Sequence, residues 1–334
     1  MRATLLVSAL ATALAGAGMA VQGTANGALA GIVGSGIHAA TGSFLGGMIV
    51  VLGVAACSPR TRSALRHGWG LIRTGQFPWW MTLGGLAGAS VVIAQSFTVP
   101  LFGVAMFTMA FVSGQLTGAL VVDNTSLPPG GRKPLSFQRI LGVLVVLGGV
   151  VVSSAGALQH GVSWWAPILP FAAGTMTAFQ QAFNGRFKLA TNSAGAATFL
   201  NFFVGSVFLV ACSAALALAG SGVTAAPELP GQWWTLIGGV LGVLFIGVTT
   251  ITVEHLGVLI LSLTSLFGNL LGSLIIDLAF PTAEAPITWA TYLAMALVLL
   301  GVSIASLPGR RPRQVHRLRL DEEPPEDSGP ELQR

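Results

Sequence analysis

Two amide pairs are the residues in this sequence best suited to binding chemistry. Gln22 and Asn26 lie four positions apart, as do Gln180 and Asn184, so each pair shares one face if a helix runs through it. An amide offers donor and acceptor together without the desolvation cost of a charge, which suits neutral or zwitterionic small molecules. Gln95, Gln115, Asn201 and Asn269 sit in equally apolar surroundings. Two roles are open to all eight: hydrogen bonding between helices, or substrate contact and gating.

The carboxylates offer less. Asp123 and Asp277 fall near the ends of apolar stretches, and Glu254 falls in a tight turn between two of them. None stands at mid-membrane, where a proton-coupled exchanger of organic cations needs one. They are read as helix-end or loop anchors, with a gate or proton-linked role as the alternative. His38, His67, His160, His255 and His316 show no paired spacing on one helix face, and Cys57 and Cys212 stand alone, so no metal site, cofactor or catalytic group is expected.

These groups must be positioned by helices in lipid. Of the 334 residues, 53% are hydrophobic and 8% charged, against about 25% charged in a soluble protein. Spans of membrane length are predicted at Ala3–Gln22, Ala39–Ala56, Trp79–Ser96, Val99–Val122 and Ile140–Ala157. Five more are predicted at Trp164–Phe183, Ala196–Leu218, Trp233–Thr252, Leu256–Phe280 and Pro286–Leu307. Helices are required because lipid cannot satisfy free backbone N–H and C=O groups. The paired tryptophans Trp79–Trp80, Trp164–Trp165 and Trp233–Trp234 open spans and suit the interfacial belt. A signal peptide at the N-terminus is not favoured, because the segment that follows it has a counterpart in mid-chain.

The formal charge of +5 reads as topology and not as nucleic-acid binding, since no basic patch interleaves with aromatics. Arg2, then Arg60, Arg62, Arg66 and Arg73, then Arg132, Lys133 and Arg139, then Arg186 and Lys188 all fall on one side of the predicted spans. The arginines after residue 308 join them, and the odd-numbered loops hold no Lys or Arg. Both termini are therefore expected in the cytoplasm.

The chain also repeats itself. Residues 79–123 align without gaps to 233–277, matching Trp79 with Trp233, Gly84 with Gly238, Gly88 with Gly242, Gly103 with Gly257, Gly114 with Gly268, Gly118 with Gly272 and Asp123 with Asp277. Upstream, Gln22 matches Gln180, Asn26 matches Asn184, Phe44 matches Phe202 and Gly47 matches Gly205. An odd number of spans per half forces the second half to enter the bilayer from the opposite side. The fold expected is an all-α membrane protein with ten transmembrane helices as a 5+5 inverted-topology repeat, an architecture recurrent in secondary transporters. The expected units are residues 1–157, 158–307 and a disordered cytoplasmic tail, 308–334.

The order Gln22, Asn26, Ser43, Phe44, Gly47, then Gly114, Gln115, Leu116, Gly118 and Asp123, resembles the YdcZ-like inner-membrane family of the drug/metabolite transporter superfamily. The order recurs as Gln180, Asn184, Asn201, Phe202, Gly205, Gly268, Asn269, Leu270, Gly272 and Asp277. Many members of that family are single five-helix units thought to pair in opposite orientations; this chain resembles two such units fused. Asn201 in place of Ser43, and Asn269 in place of Gln115, imply an asymmetric site. The resemblance implies a transporter of a small metabolite or drug-like solute in the cell inner membrane, with the solute and the lipid bilayer as partners and a monomer or homodimer both compatible. A membrane-embedded enzyme or flippase acting on a lipid or lipid-linked substrate is the alternative. For it, Glu254 beside His255 is the best remnant of catalytic chemistry.

Overall fold

The computed structural model describes residues 2–132, 135–159, 165–279 and 289–307. The tail from 308 lies outside them, as do His160, Trp164 and Lys133. In chain order the helices are α1 (Arg2–Val33), α2 (Gly36–Cys57), α3 (Pro59–Arg73), α4 (Gly84–Asp123), α5 (Phe137–Gln159), α6 (Ile168–Thr191), α7 (Ala194–Leu218), α8 (Gly238–Ala279) and α9 (Trp289–Ser306). Short 3-10 turns at Trp79–Leu83 and Trp233–Leu236 lead into α4 and α8 and hold the exposed tryptophan pairs.

Local sequence explains the joints. Gly34 (φ 76°) closes α1, and Ser35 then caps α2 by accepting from the His38 N–H at 3.4 Å. The corresponding turn between α6 and α7 uses Asn192 (φ 51°) and Ser193, whose Oγ accepts from the Ala196 N–H at 3.1 Å. A left-handed residue followed by a serine cap turns the chain back within two residues. α4 and α8 are each broken near the middle. Gly103 (φ 80°, ψ 170°) follows Pro100 in α4, and Gly257 (φ 72°, ψ 165°) interrupts α8. Each long helix is thus two limbs, and the break in α8 comes three residues after Glu254. The turn expected at Glu254 is therefore helical at that residue and broken at Gly257, the one nearby residue able to adopt so unusual a backbone.

Seven segments among the described residues are long and apolar enough to cross a membrane: Thr4–Val33, Gly36–Cys57, both limbs of α4, Ala194–Leu218 and both limbs of α8. α5 and α9 contribute shorter apolar stretches, Phe137–Gly149 and Tyr292–Gly301. α6 falls outside this set because Thr175, Thr177, Gln180, Gln181, Asn184, Arg186 and Lys188 lower its hydropathy. Much of that polar surface faces protein, so α6 does not depend on lipid to accept it. Unlike these, α3 coincides with none of the spans predicted from hydropathy. It is an amphipathic helix with Ser58 as its N-cap and Pro59 at its first turn, and it buries Thr61, Ala64 and Gly68.

The packing exchanges equivalents. α1 runs along α8 as α6 runs along α4, while α2 faces α7 and α5 faces α9. The glycines show how close these helices come. A Cβ on Gly114 would overlap the Phe171 carbonyl, and one on its equivalent Gly268 would overlap the Ala13 carbonyl; Gly16 and Gly174 meet Ser265 and Phe111 in the same reciprocal way. Lipid supplies no hydrophobic drive between helices, so backbone contact of this kind is a main source of cohesion.

One end of the bundle gathers the cations. α3 lies against α6 and α7, with Gly68 beside Phe187 and Gly195 beside Thr61. At the same end Arg186 Nε donates to the Leu127 carbonyl at 3.0 Å, Arg139 meets Asp123 at 2.5 Å and Lys188 meets Glu254 at 2.7 Å. At the opposite end the Thr224 N–H donates to the Val33 carbonyl at 3.1 Å, and the chain at 34–35, 97–104 and 219–236 holds no Lys or Arg.

A central cavity between the two halves

α1, α2 and the first limb of α4 converge with α6, α7 and the first limb of α8 on a small cavity of about 30 Å³. Its walls come largely in repeat-equivalent pairs: Met19 and Thr177, Gln22 and Gln180, Ser43 and Asn201, Phe44 and Phe202, Gly88 and Gly242, Val91 and Phe245, Val92 and Ile246. The two phenylalanine rings meet at a centroid distance of 5.0 Å with a 34° tilt. No lining side chain is ionisable. The site thus offers amides, hydroxyls and aromatic faces, a set that holds an uncharged or weakly polar solute by hydrogen bonds and apolar contact.

One member of each amide pair reaches this cavity. Gln22 and Gln180 line the cavity, and the continuous helices α1 and α6 place Asn26 and Asn184 one turn further along. Their hydrogen bonding differs. In the second half Gln180 Nε2 donates to Asn201 Oδ1 at 3.1 Å, and Asn201 Nδ2 donates to Asn184 Oδ1 at 3.4 Å. In the first half Asn26 Nδ2 turns to Gln95 Oε1 at 2.8 Å, and Gln22 Oε1, Asn26 Oδ1 and Ser43 Oγ are buried without a hydrogen-bond partner. A buried polar atom left unpaired costs about 1–3 kcal/mol, so these three atoms mark where a bound molecule gains most.

The remaining candidates are distributed elsewhere. Gln95 supports Asn26 from behind the cavity. Gln115 and Asn269 are buried in the second limbs of α4 and α8, away from the lining, and each keeps an unpaired amide atom. Asp123 ends α4 fully buried against Arg139. Glu254 is engaged by Lys188 at 2.7 Å and lies 3.5 Å from His255 Nε2, so its neighbours form an ion-pair cluster at the cationic end. Asp277 lies in the last turn of α8. The apolar members of the cavity, Met19, Val91, Val92, Phe245 and Ile246, carry no polar signal in the sequence. Phe44, Phe202, Gly88 and Gly242 are visible as repeat matches, but the repeat does not say that they meet.

A protein-family model described as "Putative inner membrane exporter, YdcZ" matches residues 7–152 and, separately, residues 165–304. A solved crystal structure shares the fold with a TM-score of 0.60 at 17% sequence identity, covering 93% of this chain and 100% of the other. No curated protein sequence matches the chain.

Proposed function

The chain belongs to the YdcZ family of inner membrane exporters, as two family units fused in one polypeptide, and on that premise we propose that it is a secondary transporter moving a small metabolite or drug-like solute by alternating access. The observation that carries the proposal is the central cavity, whose lining is drawn in equivalent pairs from both halves. In carriers built from inverted repeats the substrate site lies between the repeats near the midplane. Among the described residues each half supplies the same series of helical segments, with α4 and α8 each counted as two limbs, and α3 is the one addition. Five crossings per half make ten spans and an inverted relation. Both termini are cytoplasmic in this reading, with the cationic end of the bundle inside.

Alternating access requires each half to adopt what the other has. The α1–α8 and α6–α4 contacts are equivalent surfaces, so exchanging their closeness opens one end as it closes the other. Small residues along both contacts, with carbonyls at backbone distance, allow such sliding. Gln22, Asn26, Gln180, Asn184 and Asn201 are the proposed substrate and gating contacts. Asp123, Glu254 and Asp277 lie at helix ends or breaks and serve as anchors. Purified protein in liposomes, offered a mixture of cellular solutes, is expected to accumulate or release some of them chemically unchanged. A converted product, or no movement of any solute, overturns the proposal.

A further inference from the structure

The two halves of the cavity are not filled alike, and the difference is the size of one side chain. In the second half the carboxamide of Asn201 bridges Gln180 and Asn184, accepting from one and donating to the other. In the first half Ser43 stands where Asn201 would, and it is too short to bridge. Gln22 Oε1, Asn26 Oδ1 and Ser43 Oγ are all left unpaired there, whereas no side-chain atom of Gln180, Asn184 or Asn201 is among the buried unpaired atoms.

The glycines that line the cavity measure the vacated space. A Cβ on Gly88 would find Gln180 Nε2 at 2.8 Å, Asn201 Oδ1 at 3.2 Å and the Phe44 ring at 3.2 Å. The nearest atoms to a Cβ on the equivalent Gly242 would be the Phe202 ring at 3.4 Å and the Gln22 amide at 3.5 and 3.6 Å, with Ser43 not among them. The space is confined to Gly242: at Gly238, which also lines the cavity, Asn26 Oδ1 and Ser43 Oγ press closer on the backbone than the 3.3 and 3.7 Å that Asn184 Oδ1 and Asn201 Nδ2 keep from a Cβ on the equivalent Gly84.

We infer that the space beside Gly242, between Gln22 and Ser43, is a slot for a planar group with an N–H donor beside a carbonyl acceptor, such as a carboxamide, urea or lactam, carried by a neutral solute. The inference rests on the carrier reading and specifies its substrate class. The group takes the place that Asn201 fills in the other half. Its N–H donates to Gln22 Oε1, and its carbonyl accepts from the Ser43 hydroxyl. A half-turn of the Gln22 amide exchanges its own donor and acceptor, so ligands with either order of the two groups are accommodated. The body of the solute rests on Phe44 and Phe202, where offset aromatic contact adds to apolar burial. A charge is disfavoured, because nothing on the cavity wall compensates its desolvation.

Benzamide and acetophenone test this directly, since they have nearly the same shape and differ by NH2 against CH3. Saturation-transfer NMR on the full chain in detergent is expected to show benzamide binding at least about tenfold more tightly, the equivalent of one well-placed buried hydrogen bond. Ser43→Asn places the protein's own carboxamide in the slot and abolishes that preference. Ser43→Ala leaves the slot open and keeps most of it, and Gln22→Met removes it. Equal binding of the two probes to the unaltered chain, or no binding of either, overturns the inference, as does an unchanged preference in a Ser43→Asn or Gln22→Met protein that melts normally. The assay reads binding without transport. Failure to move solute in liposomes therefore sinks the carrier reading alone, and loss of probe preference in an active carrier sinks the slot alone.

Discussion

Phe44 of α2 and Phe202 of α7, equivalent positions in the two halves, meet with ring centroids 5.0 Å apart and a 34° tilt, and each ring also fills the groove at the other half's glycine. The Phe202 ring occupies the place a Cβ on Gly47 would need, and the Phe44 ring does the same at Gly205. The two rings make each other's contacts, and both line the cavity, whose walls come largely in equivalent pairs.

Replacing either ring with alanine is expected to lower stability by about 3–5 kcal/mol, the usual cost of emptying a packed aromatic site. The double variant should fall short of the sum by about 0.5–1.5 kcal/mol, because the two rings lose partly the same contact. Unfolding in mixed micelles measures the cycle. Strict additivity would mean that the rings do not support one another.

Alanine at Gly103 or Gly257 is expected to cost about 1–3 kcal/mol, since both sit at φ and ψ values essentially restricted to glycine. Gly53, inside α2 with no atom near its missing Cβ, provides the control. There alanine should be neutral or gain up to about 1 kcal/mol from helix propensity. Should the three variants melt together, the breaks are not set by these glycines.

Much of this organisation is legible in the sequence because glycine, tryptophan and amide residues recur in register. The repeat pairs Gly103 with Gly257 and one amide pair with the other, but it does not mark either glycine as a helix break, and hydropathy divides the spans near residues 97–98 and at Glu254 instead. Other features were not legible, for separate physical reasons. α3 carries Arg60, Arg62, Arg66 and Arg73 and so gives no hydropathy signal. The polar helix α6 is accepted because its neighbours shield it, a property of packing and not of its own composition. Gln22 and Gln180 reach one cavity from helices whose order in the chain does not state their crossing. The difference between Ser43 and Asn201 was visible as a departure from the pattern, but only the hydrogen bonds show which half is left open.

Asp123 and Arg139 differ in kind from Lys188 and Glu254. The first pair is 0% and 12% exposed and the second 16% and 27%. Asp123→Asn should therefore cost about 3–5 kcal/mol by leaving a poorly solvated cation, while Glu254→Gln should stay within about 1 kcal/mol. Adding Arg139→Gln to Asp123→Asn should restore part of the loss. Thermal melting of the four proteins decides this, and a worse double variant would refute the assignment.

The cationic end should face the cytoplasm. With Cys57 and Cys212 replaced by serine, a membrane-impermeant maleimide applied to intact cells should label Glu228→Cys and spare Arg66→Cys, both positions being exposed. Permeabilised cells should label both. The reverse pattern would invert the molecule, and equal labelling of both in intact cells would break the span count.

The asymmetry of the cavity should also appear in stability without any ligand. Asn201→Ser removes the bridge between Gln180 and Asn184 and leaves atoms of both unpaired, at an expected cost of about 1–3 kcal/mol. Ser43→Asn does the opposite in the first half, giving Gln22 and Asn26 a partner, and should be neutral or stabilising by about 1 kcal/mol if the longer side chain fits the vacated space. The two substitutions together exchange the halves' chemistry and should return the melting temperature close to that of the unaltered chain. If Asn201→Ser is silent, the hydrogen-bonded chain contributes nothing. If Ser43→Asn is as damaging as Asn201→Ser, the first half holds no space of the kind its unpaired atoms indicate.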